Sequence, residues 1–191
     1  RLSRGLGDVY KRQLIIFCKM NNESQPFKSL NISVLIISDT RTETTDKSGK
    51  ILEDRIKESG HILISKLFVK DEPTLIKEEI SKILKKKSSH VIISSGGTGL
   101  TGRDSTPEVL KEIITKEIPG FGEIFRYISF KKIGTSSLQS RAIAGLINKT
   151  FIFALPGSPG ACKDAWDELI KFQLDSTTKP CNLVELMPRL D

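Results

Sequence analysis

Short apolar runs alternate along the chain with segments in which apolar residues recur at helical spacing. The runs are rich in β-branched and aromatic residues and predict strands over residues 32–37, 62–69, 91–94 and 150–155. Apolar side chains spaced three or four residues apart predict helices over residues 46–59, 73–87, 107–114, 121–130, 138–147 and 161–172. Strands that alternate with helices in this way are typical of an α/β domain with a mostly parallel central sheet covered on both faces.

The first 29 residues do not follow this pattern. Residues 1–13 have no apolar period, and Met20 opens a polar stretch that continues to residue 29. We therefore interpret residues 1–29 as a leader and residues 30–191 as one domain, and we expect residues 1–19 to be a non-native extension ahead of a natural start at Met20. The alternative is a basic targeting peptide, but its apolar run, residues 14–18, is too short for a signal-peptide core or a membrane span.

The net charge of +7 lies largely in this leader. Residues 1–19 hold five basic residues and one aspartate, a net +4, which leaves +3 for residues 20–191. A basic balance is compatible with nucleic acid, a membrane surface or an anionic small molecule as partner. Because no stretch interleaves aromatic with basic residues and no apolar run reaches membrane length, we predict that the chain binds neither nucleic acid nor membranes.

The cysteines indicate a reducing compartment. Cys18, Cys162 and Cys181 are odd in number and form no CxxC motif, so they do not indicate a disulfide framework. Such cysteine usage is typical of cytoplasmic proteins, and we predict a cytoplasmic location.

Unusual residues follow the predicted strands. Four loops carry them, at residues 38–41, 70–73, 96–104 and 155–159. In open parallel sheets, ligands bind beyond the carboxyl ends of the strands. We therefore expect these loops to meet at one edge of the sheet and to form the functional site there.

The third of these loops contains Gly96, Gly97, Thr98 and Gly99. Closely spaced glycines leave backbone N–H groups open to an anion, and the helix that follows adds a favourable dipole. The loop lacks the Gly-Lys-Ser/Thr ending of a P-loop and does not match the dinucleotide motif GxGxxG. Glycine spacing alone leaves two interpretations open, a phosphate cradle and a tight turn without a ligand.

Two aspartates follow neighbouring strand ends. Asp104 lies five residues after Gly99, and Asp71 follows the second predicted strand. Two carboxylates beside a phosphate site predict Mg²⁺ that is held jointly with a nucleotide. The alternative for each aspartate alone is a helix N-cap, which the residue type favours.

Two further segments are candidate ligand contacts. Pro156, Gly157 and Ser158 follow the last predicted strand and form either a ligand contact or a plain turn. Ser140 and Arg141 lie in the predicted helix 138–147, where Arg141 is either a bidentate anion clamp or an ordinary surface arginine.

Five segments in order resemble one family. They are SSGGTGLT at residues 94–101, RDSTPE at 103–108, PGFGE at 119–123, LQSRA at 138–142 and LPGS at 155–158. Together they resemble the MoaB/Mog family of molybdopterin-binding proteins, which is related to the G domain of gephyrin. The resemblance covers roughly residues 30–188, and the compact length places it nearest to the MoaB branch.

The resemblance implies a three-layer α/β/α fold with a mostly parallel central sheet. It implies that molybdopterin is the substrate, bound by Gly96, Gly97, Thr98, Gly99, Ser140, Arg141, Pro156, Gly157 and Ser158. In the adenylylating members Mg-ATP donates AMP to the molybdopterin phosphate, and the matching catalytic and Mg²⁺-binding positions are Asp71 and Asp104. The alternative within the family is a carrier that binds the pterin without turnover, and family members associate as trimers or hexamers.

Overall fold

The computed structural model of the protein describes residues 26–190, so the interpretation of residues 1–19 as an extension lies outside the described residues. A six-stranded sheet forms the centre of the molecule. Its strands are β1 (Asn31–Ile37), β2 (Ile62–Val69), β3 (Val91–Ser95), β4 (Lys116–Glu117), β5 (Ile143–Ile147) and β6 (Thr150–Leu155). Their order across the sheet is β2-β1-β3-β6-β5-β4. Strands β2, β1, β3 and β6 are parallel, whereas β5 and β4 continue the sheet as antiparallel strands.

Helices lie between the strands and after the last strand. They are α1 (Lys47–Glu58), α2 (Pro73–Lys85), α3 (Thr106–Ile113), α4 (Pro119–Ile133) and α5 (Pro159–Ala165), the last of which continues through a π-helical turn (Trp166–Ile170) into α6 (Lys171–Leu174). Helix α1 begins where the Asp46 carboxylate accepts a hydrogen bond from the Gly49 amide at 2.9 Å, and α5 begins at Ser158 by the same device. Both caps satisfy an amide that the first helical turn leaves without an acceptor.

The sheet divides the hydrophobic core into two halves. Alternate side chains of β1 point to opposite faces, so that Val34 and Ile36 join one cluster, while Leu35 and Ile37 join the other. The first cluster includes residues of α1, α4 and α5, and the second includes residues of α2 and α3. Helices therefore cover both faces, which confirms the predicted three-layer α/β/α architecture with a mostly parallel central sheet.

The helix predicted over residues 138–147 is wrong. Residues Gly134–Gln139 form a 3₁₀ helix, and Ile143–Ile147 form strand β5, in which every residue is buried. Asn148 adopts a φ of 54°, which allows the two-residue turn that joins Ile147 to its partner Thr150 in β6. Ser140 and Arg141 consequently lie in the connection before β5 and not on a helix.

Within residues 26–190, none of the helices combines the length and the apolar composition that crossing a bilayer requires.

Candidate functional site

The four loops at the carboxyl ends of the parallel strands line one open cavity of about 600 Å³. The lining from these loops consists of residues 38–41, Asp71, 96–100, Asp104 and 156–158. The topology therefore brings together the loops that the sequence placed at this edge. The volume lies within the range that small-molecule sites usually occupy.

A second part of the lining comes from α4, α5 and the 3₁₀ helix. Phe125, Ser129 and Ile133 face the cavity from α4, and Gln139 and Ser140 face it from the segment that follows. These positions carry no charge, and the Ser140 hydroxyl oxygen is buried with no hydrogen-bond partner among the described residues. The cavity thus combines a charged loop region with an uncharged region that offers at least one hydrogen-bonding group without a partner.

Gly96 is required by the protein's own backbone. Its φ is 116°, and a Cβ there would lie 2.0 Å from the carbonyl oxygen of Ile37. Thr106 fixes the backbone of the first two glycines. Its hydroxyl donates to the Gly96 carbonyl and its amide donates to the Gly97 carbonyl, each at 3.0 Å. The loop is therefore tied to the end of β1 and to the start of α3.

Gly97 and Gly99 make room for the two aspartates. A Cβ at Gly97 would lie 2.9 Å from both carboxylate oxygens of Asp71, and one at Gly99 would lie 2.6 Å from Oδ2 of Asp104. Glycine spacing predicts either the close approach of a ligand or a tight turn, and in the structure both glycines leave room for the protein's own carboxylates. Among the described residues, the amides of Gly97 and Thr98 have no hydrogen-bond acceptor, so they remain open to an anion.

The two carboxylates are held in different ways. Asp104 accepts hydrogen bonds from the Thr101 hydroxyl at 2.5 Å and the Thr101 amide at 3.0 Å, and these bonds lower the pKa of Asp104. Burial raises the pKa of Asp71, and the neighbouring charges of Asp104 and Asp39 raise it further, against a hydrogen bond from Ser105. The pair therefore consists of a firmly ionised carboxylate and one whose charge is disfavoured.

The helix-cap interpretation of these aspartates is wrong. The N-cap position of α2 is Glu72, and that of α3 is Ser105. Neither Asp71 nor Asp104 occupies a cap, so their placement at the cavity is not explained by helix initiation.

Arg141 contacts the glycine loop. Its Nε donates to the Thr98 carbonyl at 3.3 Å, its Nη2 donates to the Asp104 carbonyl at 2.9 Å, and its Nη1 pairs with the Glu108 carboxylate. Unlike Ser140, Arg141 does not line the cavity. It is neither an ordinary surface arginine nor, in this structure, a group that faces the cavity; it holds two carbonyls of the loop.

The turn at residues 156–158 is anchored by neighbouring side chains. The Gly157 carbonyl accepts hydrogen bonds from Nη2 of Arg41 at 2.5 Å and from the Ser48 hydroxyl at 2.7 Å. Sequence reasoning singled out the loop of Arg41 but gave that residue no role, and it also missed Asp39, which lines the cavity and pairs with Arg103 at 2.6 Å. Their position directly after β1 was the available signal.

The residues present suit a hard divalent cation only if a ligand completes its coordination. Asp71 and Asp104 supply carboxylate oxygens, which are the donors that Mg²⁺ prefers. No group of three or more His, Cys, Asp or Glu side chains within the described part of the chain is arranged to hold a metal ion. Mg²⁺ held by these two carboxylates would complete its coordination with oxygen atoms of water or of a bound ligand.

The buried cysteine beside the cavity does not provide a nucleophile. Cys162 is fully buried next to Ser95, and burial raises the pKa of its thiol to about 11. The thiol is therefore neutral near pH 7, where only a thiolate reacts readily.

Known proteins match this chain over most of its length. The family described as "Probable molybdopterin binding domain" matches residues 33–176. Molybdenum cofactor biosynthesis protein B of Escherichia coli (strain K12) is 45% identical over 163 residues, which cover 85% of this chain and 96% of that relative. Its counterpart from Bacillus cereus is 42% identical and covers 82% of this chain and 94% of the relative.

A solved structure supports the same assignment. The crystal structure of a Molybdenum cofactor biosynthesis protein B is similar with a TM-score of 0.79 at 40% identity, and the match covers 87% of this chain and 98% of that one. The agreement of family, sequence and fold is decisive because it extends over most of the described residues. The chain therefore belongs to the MoaB/Mog family of molybdenum-cofactor biosynthesis proteins.

Proposed function

We propose that the protein binds molybdopterin at the cavity and adenylylates it with Mg-ATP. The observation that carries this proposal is the pair Asp71 and Asp104, packed against Gly97 and Gly99 of a loop that keeps two amides open to an anion. The family supports molybdopterin as the ligand, and the carboxylates support a reaction with a metal-bound nucleotide.

The proposed binding mode divides the ligand between the two parts of the cavity. The molybdopterin phosphate is bound at the amides of Gly97 and Thr98, where backbone N–H groups favour an anion. The pterin ring lies toward Phe125 and Ser140, since this part of the lining is uncharged and the Ser140 hydroxyl requires a partner.

The proposed reaction is a nucleotidyl transfer. An oxygen of the molybdopterin phosphate attacks the α-phosphorus of ATP and forms a new P–O bond, while the bond from that phosphorus to the β-phosphate oxygen breaks and pyrophosphate leaves. When bound, Mg²⁺ neutralises charge on the phosphates. In this reaction the glycine loop would fix the attacking phosphate, and Asp104 and Asp71 would hold the cation. No side chain needs to act as a nucleophile, because such transfers depend on positioning and charge stabilisation.

A turnover assay tests this proposal. The full chain is mixed anaerobically with molybdopterin and Mg-ATP, and AMP transfer to the pterin is measured. We expect Asp104→Asn to retain pterin binding but to lower adenylylation about a hundredfold or more, as when a charge-stabilising contact is lost. The control is Asp54→Asn, which removes an exposed carboxylate of α1 that pairs with Lys50 and is outside the cavity lining.

Two outcomes would change the assignment. If Asp104→Asn turned over like the wild type, the role of Asp104 would be wrong. If the wild-type chain bound molybdopterin without any AMP transfer, the protein would be a carrier, and adenylylation would be rejected.

The remaining proposals concern the molecule as a whole. We propose that residues 30–191 act as one domain and that the chain associates with itself as a trimer or hexamer. Self-association is supported by the exposed apolar side chains of α4, which are Ile124, Tyr127, Phe130 and Ile133. The cytoplasmic location stays a prediction from cysteine usage.

A further inference from the structure

The charges that line the cavity are unevenly distributed. Among the described lining residues, Asp39, Asp71 and Asp104 are acidic, and Arg41 is the only basic side chain. A phosphate group in this cavity would be repelled by the carboxylates unless a cation lay beside it. Arg41 is therefore the protein's own candidate for that cation.

Arg41 lies next to the start of the glycine loop. A Cβ at Gly157 would lie 3.5 Å from both Nη1 and Nη2 of Arg41 and 3.4 Å from the Cα of Gly96. The guanidinium and the first glycine of the loop thus approach the same residue, Gly157. A phosphate at the loop amides would have the guanidinium as a neighbour.

The guanidinium is held in place without using up its donors. Nη2 donates to the Gly157 carbonyl at 2.5 Å, and this is the one side-chain hydrogen bond of Arg41 within residues 26–190. That carbonyl is fixed by the Ser48 hydroxyl, and the Arg41 amide is fixed by the Ser38 hydroxyl at 3.2 Å. A guanidinium carries five N–H donors, so several stay available for an anion.

We propose that Arg41 binds the phosphate group of the ligand and makes the site selective for phosphorylated over dephosphorylated pterin. The inference rests on the proposed function, in that it assigns the phosphate of the same ligand to a further residue. The planar guanidinium matches two phosphate oxygens at once, and backbone amides complete the shell.

A purely structural role for Arg41 makes a different prediction. If the guanidinium only held the turn at residues 156–158, its loss would weaken the binding of every ligand in the cavity equally. A phosphate contact instead affects only ligands that carry a phosphate.

The test compares molybdopterin with its phosphatase-treated, dephosphorylated form in anaerobic equilibrium binding. We expect Arg41→Gln to weaken the binding of molybdopterin about tenfold or more, the effect of a lost charged hydrogen bond, and to change that of the dephosphorylated form less than about twofold. Arg41→Lys keeps the charge but not the bidentate geometry, so an intermediate loss is expected. The matched control is Arg189→Gln, which removes the same charge from an exposed arginine outside the cavity lining.

Inorganic phosphate, titrated against the same variants, separates failure of this inference from failure of the proposed function. If the wild type bound phosphate but no pterin, the proposed function would fail, and a loss of phosphate binding in Arg41→Gln alone would still uphold the role of Arg41. Equal weakening for both pterin forms, or phosphate binding that Arg41→Gln leaves unchanged, would overturn the inference.

Discussion

Asp71 and Asp104 differ in what their surroundings do to their charge. For Asp104, hydrogen bonds from Thr101 lower the pKa, so the folded state favours the carboxylate. For Asp71, burial raises the pKa, so the folded state disfavours the ionised carboxylate. A residue kept at a site against the preference of its own environment is a candidate for function, because stability alone would replace it.

The first prediction concerns the stability of Asp71→Asn. An acid with a raised folded pKa destabilises the fold above that pKa, and this cost disappears as the pH falls below its unfolded value. We therefore expect the substitution to raise Tm near pH 7 on the order of 1 °C, a modest gain because the site is partly solvated. The gain should vanish near pH 3, where the carboxyl is protonated in both states.

Asp104→Asn is the matched control in the same thermal unfolding series. Because the folded pKa of Asp104 is lowered, its carboxylate stabilises the fold above the unfolded pKa, and the stabilisation is lost as the pH falls through the folded pKa. This variant should therefore have a lower Tm than the wild type near pH 7. Equal shifts of the same sign in both variants would contradict the assignment of opposite environments.

The second prediction concerns Gly97, which has a φ of 63° and faces Thr106 and Asp71. An alanine there would take on backbone strain and a clash with the Thr106 hydroxyl, whose Oγ would lie 2.3 Å away. We expect Gly97→Ala to lower the free energy of unfolding by about 2–4 kcal/mol, measured by urea denaturation.

Gly102→Ala serves as the comparison for Gly97. Its added Cβ meets nothing within 4 Å, so we expect a change within about 0.5 kcal/mol. If Gly97→Ala kept full stability and lost only ligand affinity, the glycine would serve the ligand and not the packing of Thr106 and Asp71.

At the scale of secondary-structure elements, the sequence predicted the parallel part of the sheet and missed its antiparallel end. Strands β1, β2, β3 and β6 are short, mostly apolar runs between polar loops, and this pattern predicts them although Ser65 and Lys66 interrupt the run of β2. The sequence of β5 predicts a helix because apolar residues at 138, 142, 143, 146 and 147 also fit helical spacing. Every residue of the strand is buried, so no polar alternation marks it as a strand. The two exposed residues of β4 carry no apolar pattern at all.

The candidate site was predictable to a similar extent. The rule that ligands bind at the carboxyl ends of parallel strands located the loops. It did not give the directions of the side chains, which depend on tertiary contacts. Arg141 comes from the segment before β5, some 40 residues beyond the loop whose carbonyls it binds, and no local pattern signals such a contact.

The third prediction concerns this contact between segments. The Arg141 guanidinium donates to the carbonyls of Thr98 and Asp104 from two separate nitrogen atoms. Arg141→Lys replaces it with an ammonium group, whose donors all lie on one nitrogen and cannot reproduce this planar geometry. We expect amide hydrogen exchange in residues 98–105 to become about tenfold faster, the effect of one hydrogen bond lost from a locally opening loop.

Arg126→Lys is the control for Arg141→Lys. Among the described residues, Arg126 makes one hydrogen bond, a long one of 3.5 Å to the Ser140 carbonyl, so its replacement should leave exchange in the loop unchanged. Unchanged exchange in Arg141→Lys as well would mean that Thr106 and the sheet hold the loop without Arg141.

At the scale of the whole molecule, helix α4 is apolar on two sides. Its inner side buries Phe121 and Phe125. Its outer side presents an apolar stripe, defined as Ile124, Tyr127, Phe130 and Ile133, which are 51%, 61%, 53% and 58% exposed. Residues three apart are neighbours on a helix surface, so these side chains form a continuous strip that winds around the outer side of α4 from Ile124 to Ile133. Exposed apolar strips of this kind mark interaction surfaces.

The fourth prediction follows from covering this stripe with a second copy of the chain. A charge at its centre would be buried without a partner in such an interface, which strongly disfavours association. We expect Phe130→Asp to reduce the mass measured by light scattering from that of a trimer or hexamer to that of a single chain of 21.3 kDa. The comparison is Phe172→Asp, which places the same charge at an aromatic residue of α6 that is 47% exposed and lies outside the stripe.

The result also bears on the cavity, because Ile133 belongs both to the stripe and to the cavity lining. If Phe130→Asp dissociates the assembly while Phe172→Asp does not, the stripe is the interface, and the rim of the cavity lies beside it. A wild-type chain that already has the mass of a single copy would contradict self-association. An assembly that survives Phe130→Asp would place the interface on another surface and leave the stripe for a different partner.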